Sequence, residues 1–203
     1  MSLSTIDPTS ALVVIDLQNG IAGRPAAHDT REVVARAAEL ADAFRERGLP
    51  VVLVTAAGRA PGRTEAGRSA AVASPAPAAL PEGFMDLVPE LEGGGIRIVK
   101  RTWGAFHGTD LHEQLQAAGT TQIVLAGIAT SKGVESTARA AYAHGYHVTL
   151  ATDAMTDSTL AAHVNSVELA FPELGETGTS AEVIALLPAA SATTTAPHAA
   201  DEA

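Results

Sequence analysis

The chain has 203 residues, a formal net charge of −10 and no cysteine. This length predicts one domain, and its core must rest on Val, Leu, Ile and Ala because aromatic residues make up only 3% of the sequence. The charge argues against nucleic acid and anionic membranes as partners, and the lack of cysteine excludes disulfides, thiolate metal ligands and thiol nucleophiles. No apolar run is long enough to cross a membrane and no secretion signal is visible, so we expect a cytoplasmic protein.

Short apolar runs alternate with amphipathic segments along the chain. The runs predict strands, and the segments with apolar residues at helical spacing predict helices. The predicted strands are 11–16, 50–56, 95–100, 121–127 and 146–153, and the predicted helices are 29–48, 109–119, 134–145, 158–171 and 179–187. This alternation predicts βαβ units, and therefore an α/β domain over residues 1–187 with a parallel sheet covered on both faces.

Two segments depart from this pattern. Residues 57–94 are rich in Gly, Pro, Ala and Arg and show little periodicity. A loop of that length inside a compact domain is typically functional or mobile. Residues 188–203 lack the apolar residues that a core requires, so we predict a disordered tail there.

Polar residues follow three of the predicted strands. Asp16 follows "ALVVI", Lys100 follows "GIRIV", and the turn 129–133 follows "QIVLAG". Taken alone, Asp16 is also typical of a helix cap, Lys100 of a solvated surface lysine, and residues 129–133 of an ordinary turn. Together they predict a site, because ligands of open α/β sheets bind beyond the carboxyl ends of the strands. An Asp and a Lys there can form an acid/base pair, and backbone N–H groups at the start of helix 134–145 can hold an oxyanion or a carboxylate.

Three stretches of the sequence resemble the isochorismatase-like hydrolases. They are "ALVVIDLQNG", "VKRTWGAFHGTDL" and "IVLAGIATSKGVESTARAAYAHGYHVTLATDAMTD", and the resemblance runs from about residue 10 to residue 187. It implies a three-layer α/β/α fold, Rossmann-like, with about six parallel strands, and assembly as a homodimer or homotetramer. Most members of the family hydrolyse amides with an Asp–Lys–Cys triad. Asp16 and Lys100 match the first two residues, Gly133 stands at the cysteine position, and a cis peptide is implied between Ile128 and Ala129.

Gly133 changes the reaction that the resemblance implies, because glycine cannot form an acyl-enzyme. Isochorismatases proper also have glycine here, and they cleave a vinyl ether with the Asp as general acid. The resemblance thus implies acid-catalysed hydrolysis of isochorismate or a related enol-pyruvyl compound, with Asp16 as proton donor and Lys100 tuning it. This chain has "GIATS" where the isochorismatases proper have a sequence like "GVYAH", and this difference leaves the identity of the substrate open. A Ser or Thr nucleophile, amide hydrolysis by another route, and a non-catalytic small-molecule-binding or interaction protein are the alternatives.

Several further residues are candidates for contact with a small-molecule substrate. They are Ala129, Thr130 and Ser131 in the turn, Trp103 and Phe106 after Lys100, and Arg59, which we expect to hold a carboxylate. Ordinary packing under the loop is an equal alternative for Trp103 and Phe106. We expect no cofactor and no metal. Zinc-binding members of the family hold the ion through an Asp and a His after the second strand, and the stretch "LVTAAGRAPG" at that place has neither residue. His112, His144 and His163 are predicted to lie on the surface.

Overall fold

The computed structural model describes residues 3–58, 63–65 and 80–189. Arg59, parts of the loop 57–94 and most of the tail predicted at 188–203 lie outside the described residues.

The described strands form one parallel sheet of six strands. They are β1 (Ser10–Ile15), β2 (Val51–Ala56), β3 (Ile96–Lys100), β4 (Gln122–Ile128), β5 (His147–Thr156) and β6 (Glu176–Gly178). Their order across the sheet is β3-β2-β1-β4-β5-β6, and every neighbouring pair is parallel. The predicted fold class is confirmed. Strand β6 was not predicted, because three half-buried residues are too few to show a periodic pattern.

Five of the described helices lie between successive strands, and the sixth follows β6. They are α1 (Asn19–Ala22), α2 (Thr30–Glu46), α3 (Leu111–Ala117), α4 (Glu135–Ala143), α5 (Leu160–Asn165) and α6 (Ser180–Leu186). A 3₁₀ turn spans Pro89–Leu91, and a π-helical turn, Thr130–Val134, leads into α4. The predicted helix 158–171 is instead a composite, in which a π-helical turn (Ser166–Ala170) and a 3₁₀ turn (Phe171–Glu173) follow α5. Helix α6 begins with a capping box, in which the side chains of Thr179 and Glu182 are bonded to each other's backbone.

The core consists of two layers, one on each face of the sheet. Because side chains alternate along a strand, Leu12 and Val14 of β1 pack on the face that α2 covers, whereas Val13 and Ile15 pack on the face that α3 and α4 cover. Helix α2 contributes apolar residues at helical spacing, from Val33 to Phe44. Among the described residues, no helix has the length and apolar character needed to cross a membrane.

The strand order defines where a ligand can bind. From β1 the chain adds β2 and β3 on one side, whereas β4, β5 and β6 follow on the other side. The direction of winding therefore reverses between β1 and β4. In doubly wound sheets, a crevice opens at this point, outside the carboxyl ends of the two strands.

Candidate functional site

Asp16 and Lys100 form a buried ion pair at this crevice. Asp16 directly follows β1, and its φ of 54° lies in the left-handed region that few residues other than glycine adopt. Lys100, the last residue of β3, reaches past β2, and its Nζ donates to Asp16 Oδ2 at 2.7 Å. The Lys100 side chain is 2% exposed and the Asp16 side chain 8%. The structure thus brings together two residues that are 84 positions apart in the sequence.

The second carboxylate oxygen of Asp16 has no hydrogen-bond partner. Oδ1 is buried and unpaired, whereas Oδ2 is held by the Lys100 ammonium. Burial raises the pKa of Asp16 to about 6, although the charge and hydrogen bond of Lys100 act in the opposite direction. A proton on this carboxyl therefore belongs on Oδ1, the oxygen that Lys100 does not bind.

Gly133 lies directly against the ion pair. A Cβ built on Gly133 would lie 3.4 Å from Asp16 Oδ2 and 3.5 Å from Lys100 Nζ. The same Cβ would also lie 2.8 Å from the Cγ2 methyl of Ile15, which is closer than carbon atoms pack. The three residues matched to the triad positions thus meet at one point, and Ile15 occupies part of the space that a side chain at position 133 would need.

The turn that carries Gly133 begins at a cis peptide between Ile128 and Ala129, as the resemblance implied. The carbonyl of Ala129 then accepts hydrogen bonds from the backbone N–H groups of Lys132 and Val134. Ala129 is therefore the first residue of a closely hydrogen-bonded turn, which connects β4 to helix α4.

The two hydroxyl side chains of this turn bind to other parts of the protein. Thr130 Oγ1 is 2.9 Å from Nδ1 of His163, and both the N–H and the hydroxyl of Ser131 donate to Asp157 Oδ2 at 2.7 Å. Burial raises the pKa of Asp157, but hydrogen bonds from Ser131 and Ser158 more than offset this and lower it below its usual value. Substrate contact by Thr130 or Ser131 remains a prediction, and in this structure both hydroxyls hold the turn.

His163 is buried, so the prediction that it lies on the surface is wrong. It sits on the inner face of α5 with 8% of its surface exposed. The exposed His28 packs edge-on against it, with 4.7 Å between the ring centroids, and His28 Nδ1 lies 2.9 Å from Thr156 Oγ1. Burial and the neighbouring His28 lower the pKa of His163, and Asp157 only partly opposes them.

A glutamine fixes the described end of the loop 57–94 beside the site. The Gln18 side chain donates to the carbonyls of Ala56 and Phe84 and accepts from the Ala56 N–H. The Phe84 ring lies against Gly20, where even a Cβ would overlap it. The backbone at residues 84–88 therefore runs across the ends of β1 and β2. Sequence reasoning gave no sign of this contact.

The aromatic residues after Lys100 lie in two different environments. Trp103 is 52% exposed. Phe106 is buried, and its ring packs 5.0 Å from that of His144 and 6.0 Å from that of Tyr146. The role of Trp103 and Phe106 as substrate contacts stays a prediction. Within residues 3–58, 63–65 and 80–189, no group of three or more His, Asp or Glu side chains is arranged to hold a metal ion.

The structure is that of a doubly wound α/β protein with a buried Asp–Lys ion pair beyond the carboxyl ends of its strands and a glycine at position 133. A family model described as the Isochorismatase domain matches residues 10–182. The isochorismatase family protein YecD of Escherichia coli O157:H7 is 43% identical over 182 residues, which cover 87% of this chain and 95% of YecD. An isochorismatase family protein of known structure from Burkholderia thailandensis is 41% identical, with a TM-score of 0.83 and coverage of 92% of this chain and 99% of that one. A probable inactive nicotinamidase of Arabidopsis thaliana is 30% identical over 168 residues, covering 78% of this chain and 86% of the relative. The chain belongs to the isochorismatase family.

Proposed function

We propose that the protein hydrolyses a vinyl ether by acid catalysis, with Asp16 as the proton donor and isochorismate or a related enol-pyruvyl compound as the substrate. One observation carries this proposal: a buried carboxyl whose pKa is raised to about 6 keeps one oxygen, Oδ1, without a hydrogen-bond partner, while its other oxygen, Oδ2, lies beside Lys100 and Gly133. A general acid works best when its pKa lies near the working pH. Lys100 fixes the other oxygen and so orients the acid.

The reaction needs only the groups that meet at the crevice and one water molecule. The proton on Asp16 Oδ1 passes to the methylene carbon of the vinyl ether, and the electron pair of the double bond forms the new C–H bond. The adjacent carbon becomes an oxocarbenium ion, which the new Asp16 carboxylate stabilises, whereas the ammonium of Lys100, held on Oδ2, opposes it. Water adds to this carbon and returns a proton to Asp16. The resulting hemiketal collapses to pyruvate and an alcohol, and no step uses a side chain at position 133.

The test is pyruvate release from isochorismate by the wild-type protein and by Asp16→Asn. Asparagine keeps the shape of the side chain and an oxygen for Lys100 but cannot donate the proton. We expect release by the wild type, a rate that falls as the pH rises through about 6, and loss of release in the variant. Asp110→Asn, at an exposed position, is the control for the loss of one negative charge. A wild type that releases no pyruvate from isochorismate would remove this substrate, and equal rates in both proteins would remove Asp16 as donor.

A second candidate is a small-molecule-binding protein without catalysis. It is favoured by the likeness to the relative from Arabidopsis thaliana that is described as a probable inactive nicotinamidase. Titration calorimetry separates the two candidates, because a binding protein gives saturable heat from isochorismate without any pyruvate. Binding accompanied by release supports the enzyme.

A further inference from the structure

A polar cluster, buried except for His28, lies directly behind the turn that carries Gly133. It comprises Thr130 in the turn, His163 on α5, His28 after α1, and Thr156 and Asp157 at the end of β5. His163 Nδ1 contacts Thr130 Oγ1 at 2.9 Å, and Thr130 is completely buried. The carbonyl of Asp157 also accepts the N–H of Ala27. The cluster therefore ties the loop after β1, the turn after β4 and the loop after β5 to one another.

We propose that His163 is a positioning residue that holds the turn 129–133 against the Asp16–Lys100 pair through its hydrogen bond to Thr130, and that only the neutral imidazole does so. This inference rests on the proposed function for its kinetic consequences. The turn is small and closely bonded, because the carbonyl of Ala129 accepts from both Lys132 and Val134. A rotation at Thr130 is therefore transmitted to Gly133, which lies against the ion pair.

The charge state matters because of what each form of the ring can bond. In the neutral ring, Nδ1 can accept the hydroxyl proton of Thr130, whereas in the imidazolium both ring nitrogens are donors. Protonation therefore reverses this hydrogen bond, with Nδ1 now the donor, and leaves the proton of the buried Thr130 hydroxyl without its acceptor. The titratable groups that face His163 are His28 from the loop after α1 and Asp157 from the loop after β5. Glu135 of α4 is linked to α5 through the hydroxyl of Ser166.

The two charge requirements give the proposed reaction a pH optimum. Asp16 must be protonated, so the rate falls as the pH rises through about 6. His163 must be neutral, and its pKa is lowered below the ordinary 6.5 by burial and His28. We therefore expect the rate to fall again on the acid side, where His163 takes up a proton.

Two substitutions at position 163 separate positioning from mere packing. His163→Leu fills the space but removes the hydrogen bond, and we expect kcat to fall on the order of tenfold to a hundredfold, as for a displaced catalytic geometry. His163→Asn places an amide near Nδ1 and cannot become charged. It should restore most of kcat and flatten the acid side of the pH profile. Unchanged kcat in His163→Leu, or an acid limb that persists in His163→Asn, would overturn the proposal.

His112 provides a closely matched control. Its Nδ1 also bonds a hydroxyl, Tyr146 Oη at 2.9 Å, and its ring also packs on a second histidine, His144, with 4.1 Å between centroids. His112→Leu and His112→Asn should leave both kcat and the shape of the pH profile unchanged. An equal loss in the His112 variants would mean that the effect at His163 is general destabilisation, and would count against positioning.

A second measurement does not depend on turnover. In the Asp16→Asn background, where residue 16 no longer titrates, the backbone amide NMR signals of Ser131, Lys132 and Gly133 are followed against pH together with the imidazole signals. We expect the three amides to shift with the midpoint of the His163 ring, and the shift to vanish when His163→Asn is added. Amides that do not follow His163 overturn the inference. A wild type that is silent towards isochorismate while the amides follow His163 overturns only the proposed function.

Discussion

Replacing Asp16 by Asn should change how the stability of the protein depends on pH. The carboxyl at this position is buried beside Lys100, and its pKa in the folded protein is about 6 rather than the ordinary 3.8. The folded state therefore binds a proton more tightly than the unfolded chain does. Asparagine binds none in either state, so the variant lacks this contribution.

The sign and size of the effect follow from the two pKa values. Because the folded-state pKa is the higher one, the contribution is fully present below about pH 3.8 and is lost as the pH rises through about 6. A rise from 3.8 to about 6 corresponds to about 3 kcal/mol in the free energy of unfolding, at 1.36 kcal/mol for each tenfold change in proton affinity. Relative to Asp16→Asn, the wild type should therefore gain about 3 kcal/mol in total as the pH falls from 8 towards 4.

The assay is urea unfolding of both proteins at several values between pH 4 and pH 8, with the difference in free energy plotted against pH. Groups other than Asp16 cancel in this difference, and the pH-independent cost of changing the partner of Lys100 adds only a constant offset, which does not alter the dependence on pH. Asp42→Asn, which removes an exposed carboxylate, controls for net charge. A wild-type-minus-variant difference that stays flat, or that falls as the pH is lowered, would refute the raised pKa and with it the role of Asp16 as acid.

Four other substitutions test the geometry of the site and the fold. Gly133→Ala should lower the free energy of unfolding by roughly 1–3 kcal/mol in urea unfolding, because its Cβ would lie 2.8 Å from the Ile15 methyl. The thiol of Gly133→Cys should react with an alkylating agent at a pH below the pKa of an ordinary thiol, because its Cβ would lie 3.5 Å from Lys100 Nζ. Lys100→Met should raise the pKa of Asp16 further, since Lys100 lowers it, and should move the alkaline limb of pyruvate release to higher pH. Thr179→Ala should cost about 1 kcal/mol in the same unfolding assay, through loss of the capping box of α6.

The main elements of the fold were predictable because their patterns are local. The β-branched runs of β1, β2 and β4 lie within buried strands, and the spacing of apolar residues in α2 matches the face that it buries. Local pattern also located Asp16 and Lys100, because the rule for strand ends needs only the order of strands and helices. Their 2.7 Å contact follows from the sheet order, which brings β3 within reach of β1 across a single intervening strand.

The residues that hold the site were missed because their contacts are not local. Strand β5 was predicted to end at residue 153, whereas it continues to Thr156, so Asp157 was not recognised as a strand-end residue. His163 has ordinary helical surroundings in the sequence, and only the packing of α5 against the turn after β4 buries it. The amide of Gln18 binds the backbone at Ala56 and Phe84, and backbone partners leave no signature in a sequence.

Gly133 and Ile15 together distinguish this site from one that has simply lost a side chain. A hole beside Asp16 and Lys100 would admit water to both charged groups, and hydration would return the pKa of the carboxyl towards its ordinary value. Instead the Ile15 methyl occupies part of that space, and the pair stays almost completely buried. The same burial that raises the pKa of Asp16 therefore depends on a residue whose methyl would have to shift to make room for a side chain at position 133. A site with this packing is suited to proton transfer by a carboxylic acid, and it resists the return of a nucleophile at position 133.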